Sequence, residues 1–223
     1  MPTTTHDHLA YTIREWTNDP FTKIVAAMPD TLTIIFDVGA NAGGWTEVMH
    51  QKYPKAAFHC FEPVPYNYEA LVQNVPYATT YNYGIYYGKT DSSIQCRGDG
   101  NIGAFFVEHI DAGSPIVTVE GRMVLKTLED VGVKPDLIKM DIEGAEENLV
   151  MYSSLLKETP WLIIEWHPDK SFEDLRKQFL PDHEVVVNLE NKQYLLHANI
   201  SIDTNNKTKR PTTRVRKSKK TDV

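Results

Sequence analysis

The chain has 223 residues, 41% hydrophobic and 24% charged, with a formal net charge of −7; this is the make-up of one globular domain that buries its own core without staples. Cys60 and Cys96 are the only cysteines, and without CxxC or Cys/His spacing they exclude a zinc module and a disulfide framework and fit a reducing compartment. No basic segment followed by an apolar one opens the sequence, and runs such as LTIIF are too short for a membrane span, so a cytoplasmic protein is expected.

Residues 1–30 are expected to form an N-terminal helical segment. Within it, 6–28 reads as helix interrupted near Pro20, with Leu9, Ile13, Trp16, Phe21, Ile24 and Val25 as candidate buried positions. The main domain is expected over 31–202. It opens with TLTIIFDVGANAGGWTEVMHQ, an apolar strand that passes through a glycine turn into a helix. AAFHCFEP reads as a second strand, PYNYEALVQNV as a second helix opened by Pro65, and ATTYNYGI as a third strand. Strands alternating with helices at this spacing indicate βαβ units and a parallel sheet.

Between about 86 and 120 the pattern changes. SSIQCRGDGNIGAFFVEH is rich in β-formers around Gly98, Gly100 and Gly103, which predicts a β-hairpin insertion. TLEDVGV then reads as a short helix capped by Thr127, with Asp130 as its capping-box partner. PDLIKMD is a fourth strand, GAEENLVMYSSLL a helix, WLIIEWH a fifth strand, and KSFEDLRKQF a helix after Pro168. EVVVNLE and KQYLLHA form a closing hairpin across Glu190–Asn191. The expected fold is α/β and Rossmann-like: a seven-stranded, mostly parallel sheet with helices on both faces. Residues 203–223 hold eight Lys or Arg against two Asp, so by subtraction from −7 the first 202 residues carry about −13. A segment of that composition is expected to be a disordered basic tail.

The first strand runs into Asp37-Val38-Gly39-Ala40-Asn41-Ala42-Gly43-Gly44. In an open α/β sheet, ligands sit beyond the carboxyl ends of the strands, and glycines let the backbone turn sharply and approach them. A dinucleotide site uses GxGxxG, which seats a pyrophosphate on a helix N-terminus. Here the spacing is GxxxGG, with the Asp37 carboxylate two positions before the first glycine. That carboxylate repels a pyrophosphate and suits an ammonium group, directly or through water, so the turn favours S-adenosylmethionine over NAD. Glu62, at the end of the second strand, is placed to accept hydrogen bonds from ribose hydroxyls. Tyr83 and Gly84 at the end of the third strand are candidates to border the adenine. The expected cofactor set is Asp37, Gly39, Ala40, Asn41, Gly43, Glu62, Gly84 and Asp141, and the layout is that of a class I methyltransferase.

In LIKMDIEGAEENL an apolar strand meets Asp141, Glu143 and a helix start. Glu146 and Glu147 are accounted for by the helix dipole, whereas Asp141, at the end of an apolar strand, needs a partner or a function. Alternation puts Glu165 and His167 on one side of the fifth strand, beside Asp141. Methyl transfer to oxygen asks the enzyme to align the reactants and help an alcohol lose its proton. Asp141, Glu165 and His167 are therefore expected catalytic residues. They serve either through a histidine base or as ligands of Mg2+ or Mn2+, which lowers the pKa of a hydroxyl.

FDVGANAGGWT, CFEPVPYNYEAL, TLEDVG followed by LIKMDIEGAEENLV, and WLIIEWHP together resemble the FkbM family of methyltransferases, over roughly residues 30–170. The resemblance implies an S-adenosylmethionine-dependent O-methyltransferase of sugars or secondary metabolites. It implies cofactor contacts at Asp37, Gly39, Asn41, Gly43 and Glu62, and an active site holding Asp141 and Glu143. The stretch 86–120 is then expected to read the acceptor, with Phe105 and Phe106 able to stack on a sugar face or to form hairpin core.

The expected acceptor is a sugar or glycan hydroxyl. One alternative is an RNA 2′-O-methyltransferase, with nucleic acid held by the basic tail and Lys23, Asp141, Lys170 and Glu190 as its catalytic set. Another is a non-catalytic cofactor-binding partner subunit.

Overall fold

The computed structural model describes residues 19–88 and 125–198, the segments 94–97, 104–106 and 116–118, and positions 9, 13, 16 and 17. The basic tail, most of the N-terminal segment before Asp19, Gly98, Gly100, Gly103 and the side chains of Phe105 and Phe106 lie outside the described residues.

Pro20 opens helix α1 (Asp19–Ala27), a position where its missing N–H costs nothing. The apolar run after it forms β1 (Ile34–Val38) and turns into α2 (Gly44–Lys52). Next come β2 (Ala57–Phe61), α3 (Pro65–Asn74), again opened by proline, and β3 (Thr79–Tyr81). The stretch ATTYNYGI does not stay one strand. It breaks at Asn82 and Tyr83, where the Asn82 side chain donates to the Glu62 carbonyl at 3.0 Å, and resumes as β4 (Gly84–Ile85) in a separate two-stranded sheet.

The insertion is larger than a hairpin. β5 (Ile94–Arg97) pairs antiparallel with both β6 (Ala104–Phe106) and β7 (Ile116–Thr118), and β8 (Leu125–Lys126) returns to pair with β4. TLEDVGV forms a single 3-10 turn, Leu128–Val131, with the Thr127/Asp130 capping box in place and Gly132 ending it at φ 71°. β9 (Leu137–Met140) is followed by α4 (Glu146–Tyr152) and α5 (Ser154–Glu158). The break between those helices falls at Ser153, whose hydroxyl accepts from Leu156 N at 3.0 Å and starts a new helix. β10 (Trp161–Glu165), α6 (Phe172–Phe179), β11 (His183–Asn188) and β12 (Gln193–Ala198) complete the chain.

The main sheet has seven strands in the order β3-β2-β1-β9-β10-β12-β11, and β12 alone runs opposite to the other six. Chain order reverses between β1 and β9, which makes their carboxyl ends the switch point of the sheet. Strand alternation sorts the core into two layers. Ile35, Phe58, Leu137, Ile163 and Leu195 pack under Phe21 and Ile24 of α1, Trp45 and Met49 of α2 and Leu71 of α3. Phe36, Val38, Ile138, Met140, Ile164 and Leu196 pack against Leu149 and Val150 of α4, Leu155 and Leu156 of α5 and Phe172 of α6. Among the described residues no helix is long and apolar enough to cross a membrane.

At the opposite end of the switch point Asp136 pins β1 to β9. Its Oδ2 accepts from Thr33 N at 2.7 Å, Thr33 Oγ1 at 2.6 Å and Ile34 N at 3.0 Å. Burial works against this carboxylate, but the Thr33 hydrogen bonds outweigh it and hold its pKa below the ordinary 3.8. Replacing Asp136 by Ala should lower stability in urea unfolding at neutral pH by about 1–3 kcal/mol. Because the native pKa is depressed, the deficit should be constant above the ordinary carboxylate range and shrink as pH falls through the native value.

Candidate active site

Five residues of turn connect β1 to α2, and each has a local reason for its conformation. Gly39 lies at φ +78°, and a Cβ there would stand 1.8 Å from the Asp141 carbonyl oxygen, so no other residue fits between the two strand ends. Gly39 N and Ala40 N both donate to the Phe61 carbonyl at 3.0 Å. Asn41 is left-handed at φ 50°, and its side-chain oxygen accepts from Ala42 N at 2.7 Å, a conformation asparagine tolerates better than most residues. Gly43, at φ +92°, caps α2. The turn is thus hydrogen-bonded to the end of β2 through Phe61 and packs tightly against the Asp141 backbone beyond β9.

Glu62 completes that attachment. Its Oε2 accepts from Asn41 N at 2.8 Å and its Oε1 from Val64 N at 2.9 Å. Burial pushes its pKa up to about 7 against the pull of those hydrogen bonds. The Asn67 side chain also bonds this carboxylate; a carboxylate has about four acceptor positions, so Glu62 holds the turn and still has capacity left for a ligand. Gly84 and Tyr83 are buried where the chain leaves the main sheet, and Lys126 Nζ lies 4.7 Å over the Tyr83 ring.

Asp37 has no accessible surface, and its charge is answered inside the protein. Asp37 and Lys139 are register partners on β1 and β9, and Lys139 Nζ sits 3.1 Å from Asp37 Oδ1. That approach makes an ion pair without a well-directed hydrogen bond at Oδ1. The other oxygen accepts from Thr46 Oγ1 at 2.6 Å. Lys139 also donates to the Gly39 carbonyl at 2.8 Å and lies 3.7 Å from Asp141 Oδ2. The Trp16 indole covers it, its ring centre 5.2 Å from Nζ. Burial works against the ammonium, but Asp37 and Asp141 outweigh it and raise the Lys139 pKa. Burial raises the Asp37 carboxyl, with Lys139 and Thr46 opposing it.

Beyond the ends of β9 and β10 the structure brings Asp141, Glu165 and His167 together, with one ligating atom of each within 4.8 Å of the others. His167 Nε2 lies 3.8 Å from Glu165 Oε1 and 3.6 Å from Glu143 Oε2. Glu165 Oε2 accepts from Gln193 Nε2 at 2.7 Å across the β10–β12 pair. Burial, and then the Asp141 charge, push the Glu165 pKa up to about 7. For His167 burial favours the neutral ring, but the hydrogen bond and charge of Glu146, then Asp141 and Glu143, push the pKa up to about 9.

Glu146 departs from the sequence expectation. The helix dipole does not account for it alone, because it is fully buried and bonded to specific donors. Its Oε1 accepts from Ile142 N at 2.9 Å and takes His167 Nδ1 at 2.9 Å, while Oε2 accepts from Gly144 N at 2.9 Å. Lys139 and Gln193 were also not expected at the site. Lys139 carried a readable signal: it is a charge inside an apolar strand, two positions before Asp141 and so on the same face. Gln193 carried none, since its pairing depends on the hairpin register. Of the residues considered for an RNA site, Lys170 pairs with Glu147. Lys23 and Glu190 are exposed on α1 and on the β11–β12 turn.

Removing one member of the buried pair strands the other. Lys139→Met should lower stability in urea unfolding by about 3–5 kcal/mol, and Asp37→Asn/Lys139→Met should recover most of the loss. A single variant as stable as the native protein would show that the pair contributes nothing.

No curated protein matches the chain in sequence. Among solved structures, a fibrillarin/Nop5p complex is similar with a TM-score of 0.48 and 13% identity, over 82% of this chain and 81% of that one. The precorrin-6y C5,15-methyltransferase of Geobacter metallireducens GS-15 gives a TM-score of 0.42 at 13% identity, covering 88% and 89% of the two chains. The magnesium protoporphyrin IX methyltransferase of Synechocystis PCC 6803, solved with bound SAM, gives 0.45 at 12% identity, covering 89% and 84%. A family profile, the methyltransferase FkbM domain, matches residues 37–196. That match begins at Asp37 and runs through the glycine turn, the Lys139–Asp141 strand end and the Glu165–His167 strand end into β12, and the chain belongs to the FkbM methyltransferase family.

Proposed function

We propose that this protein is an S-adenosylmethionine-dependent O-methyltransferase acting on a sugar or glycan hydroxyl, with a divalent cation, Mg2+ or Mn2+, at Asp141, Glu165 and His167. The observation that carries the reading is the convergence of those three side chains at the carboxyl ends of β9 and β10, next to the glycine turn.

The chemistry of the donor set fits the cofactor. Glu62 stands at the end of β2 with acceptor capacity left for ribose hydroxyls. Gly39, Ala40, Asn41 and Gly43 let the backbone come close to a ligand, and Gly84 stands where the chain leaves β3. The rim beyond β9 and β10 is acidic, with Asp141, Glu143 and Glu165, and the buried Lys139 is already taken up by Asp37 and the Gly39 carbonyl. Such a rim attracts a sulfonium and an ammonium group and repels a pyrophosphate. S-adenosylmethionine, when bound, supplies an electrophilic methyl carbon. Asp37 acts on this cofactor indirectly, by holding Lys139 and through it the Gly39 carbonyl.

For the acceptor the work is deprotonation and alignment. An alcohol is a very weak acid, and a cation held by two carboxylates and an imidazole lowers its pKa. Asp141, Glu165 and His167 offer that oxygen-rich set, which suits Mg2+ or Mn2+. The same acidic rim disfavours a phosphodiester backbone, which supports a neutral polyol over RNA.

The reading is tested by methyl transfer to a panel of simple glycosides and short capped RNAs, with and without EDTA. Glycoside methylation should be abolished by EDTA and restored by Mg2+ or Mn2+, and Asp141→Asn should lower kcat by about 100-fold or more. Methylation of RNA alone would overturn the acceptor. Turnover unaffected by EDTA would overturn the cation and leave His167 to act as the base above the pH near 9 where it loses its proton.

A further inference from the structure

The DIEGAE segment after β9 contains a carboxylate for which methyl transfer has no direct use. Glu146 is fully buried, at the start of α4, with the Ile142 and Gly144 amides and the His167 ring around it. Between those amides the backbone passes through Glu143 in the left-handed region at φ 53°, and Gly144 follows at φ 109°. For Glu143 that is an unfavourable conformation, held here by a carboxylate that bonds the amides on both sides of it. The same carboxylate receives His167 Nδ1 from the end of the neighbouring strand.

We propose that Glu146 is a positioning residue for the reaction and acts through His167. By accepting from Nδ1 it fixes the ring so that Nε2 faces Glu165 and Glu143, the side on which Asp141 also lies. A buried carboxylate on the far nitrogen of a histidine selects the tautomer, sets the ring plane and strengthens the near nitrogen as a ligand or base. Glu146 does this while anchored by two backbone amides, so the ring is tied to the turn that carries Asp141 and Glu143. Glu147, the next residue, points elsewhere and pairs with Lys170. The inference rests on the reading that His167 works on the acceptor.

The test is a double-mutant cycle of Glu146→Gln and His167→Ala, with glycoside methylation, binding of S-adenosylhomocysteine by calorimetry and imidazole nitrogen NMR as readouts. Glu146→Gln is expected to lower kcat by about 10- to 100-fold, with acceptor KM and S-adenosylhomocysteine affinity within about threefold of native. The double variant should be no slower than His167→Ala alone, because two residues acting as one unit are not additive. Without acceptor or turnover, the native His167 spectrum should show a protonated Nδ1, and Glu146→Gln should shift that pattern. Additive losses, or a Glu146→Gln enzyme with native kcat and an unchanged His167 spectrum, would overturn the positioning role and leave His167 itself standing. A His167→Ala enzyme with native kcat would remove the reading of His167, and the role of Glu146 with it.

Discussion

The site depends on one buried ion pair. Asp37 and Lys139 face each other across β1 and β9, at the point where the order of the sheet reverses. A lone charge in either position would be untenable in a core this closed. Together they place an ammonium where it also holds the Gly39 carbonyl and stands beside Asp141. One lysine therefore joins the glycine turn to the strand end that carries the proposed acceptor chemistry. The close approach of Gly39 to the Asp141 carbonyl expresses the same constraint in the backbone.

Outside that pair the site is built from strand alternation and two turns. Ile35, Leu137 and Ile163 point into the layer under α1, α2 and α3. Two residues further along, on the same face, come Asp37, Lys139 and Glu165. Core therefore changes to site within one step of each strand, and the strand ends deliver acids and one histidine to a shared rim. Each candidate ligand then has a buried partner of its own: Lys139 beside Asp141, Gln193 on Glu165 and Glu146 on His167. Supports of this kind hold a constellation ready before a ligand arrives.

The legibility of these parts differs for physical reasons. The strands of the main sheet are readable because strand and helix segments alternate and β1, β9 and β10 are apolar runs with a single charge each. The break after Tyr81 was not, since TTYNYGI keeps β-forming residues through the point where Asn82 binds the Glu62 carbonyl and diverts the chain. The three-stranded insertion and the split of α4 from α5 were missed likewise; Ser153 reads as an ordinary helix residue until its hydroxyl is seen to cap Leu156. At the site, Asp141, Glu165 and His167 were found because charges that end apolar strands stand out. Glu146 does not stand out in the sequence because a glutamate at a helix start complements the helix dipole, and only its burial against His167 sets it apart.

By itself the sequence determined the α/β class, the strand and helix order of the main domain, the glycine turn and the family, because these follow from local periodicity, backbone sterics and motif spacing. The tertiary structure decided which groups meet. That Asp37 is neutralised by Lys139, that Gln193 reaches Glu165, and that Glu146 meets the His167 ring are consequences of strand register and burial between segments far apart in the chain. Register and burial depend on how whole faces pack against one another, and no single stretch of sequence contains that information.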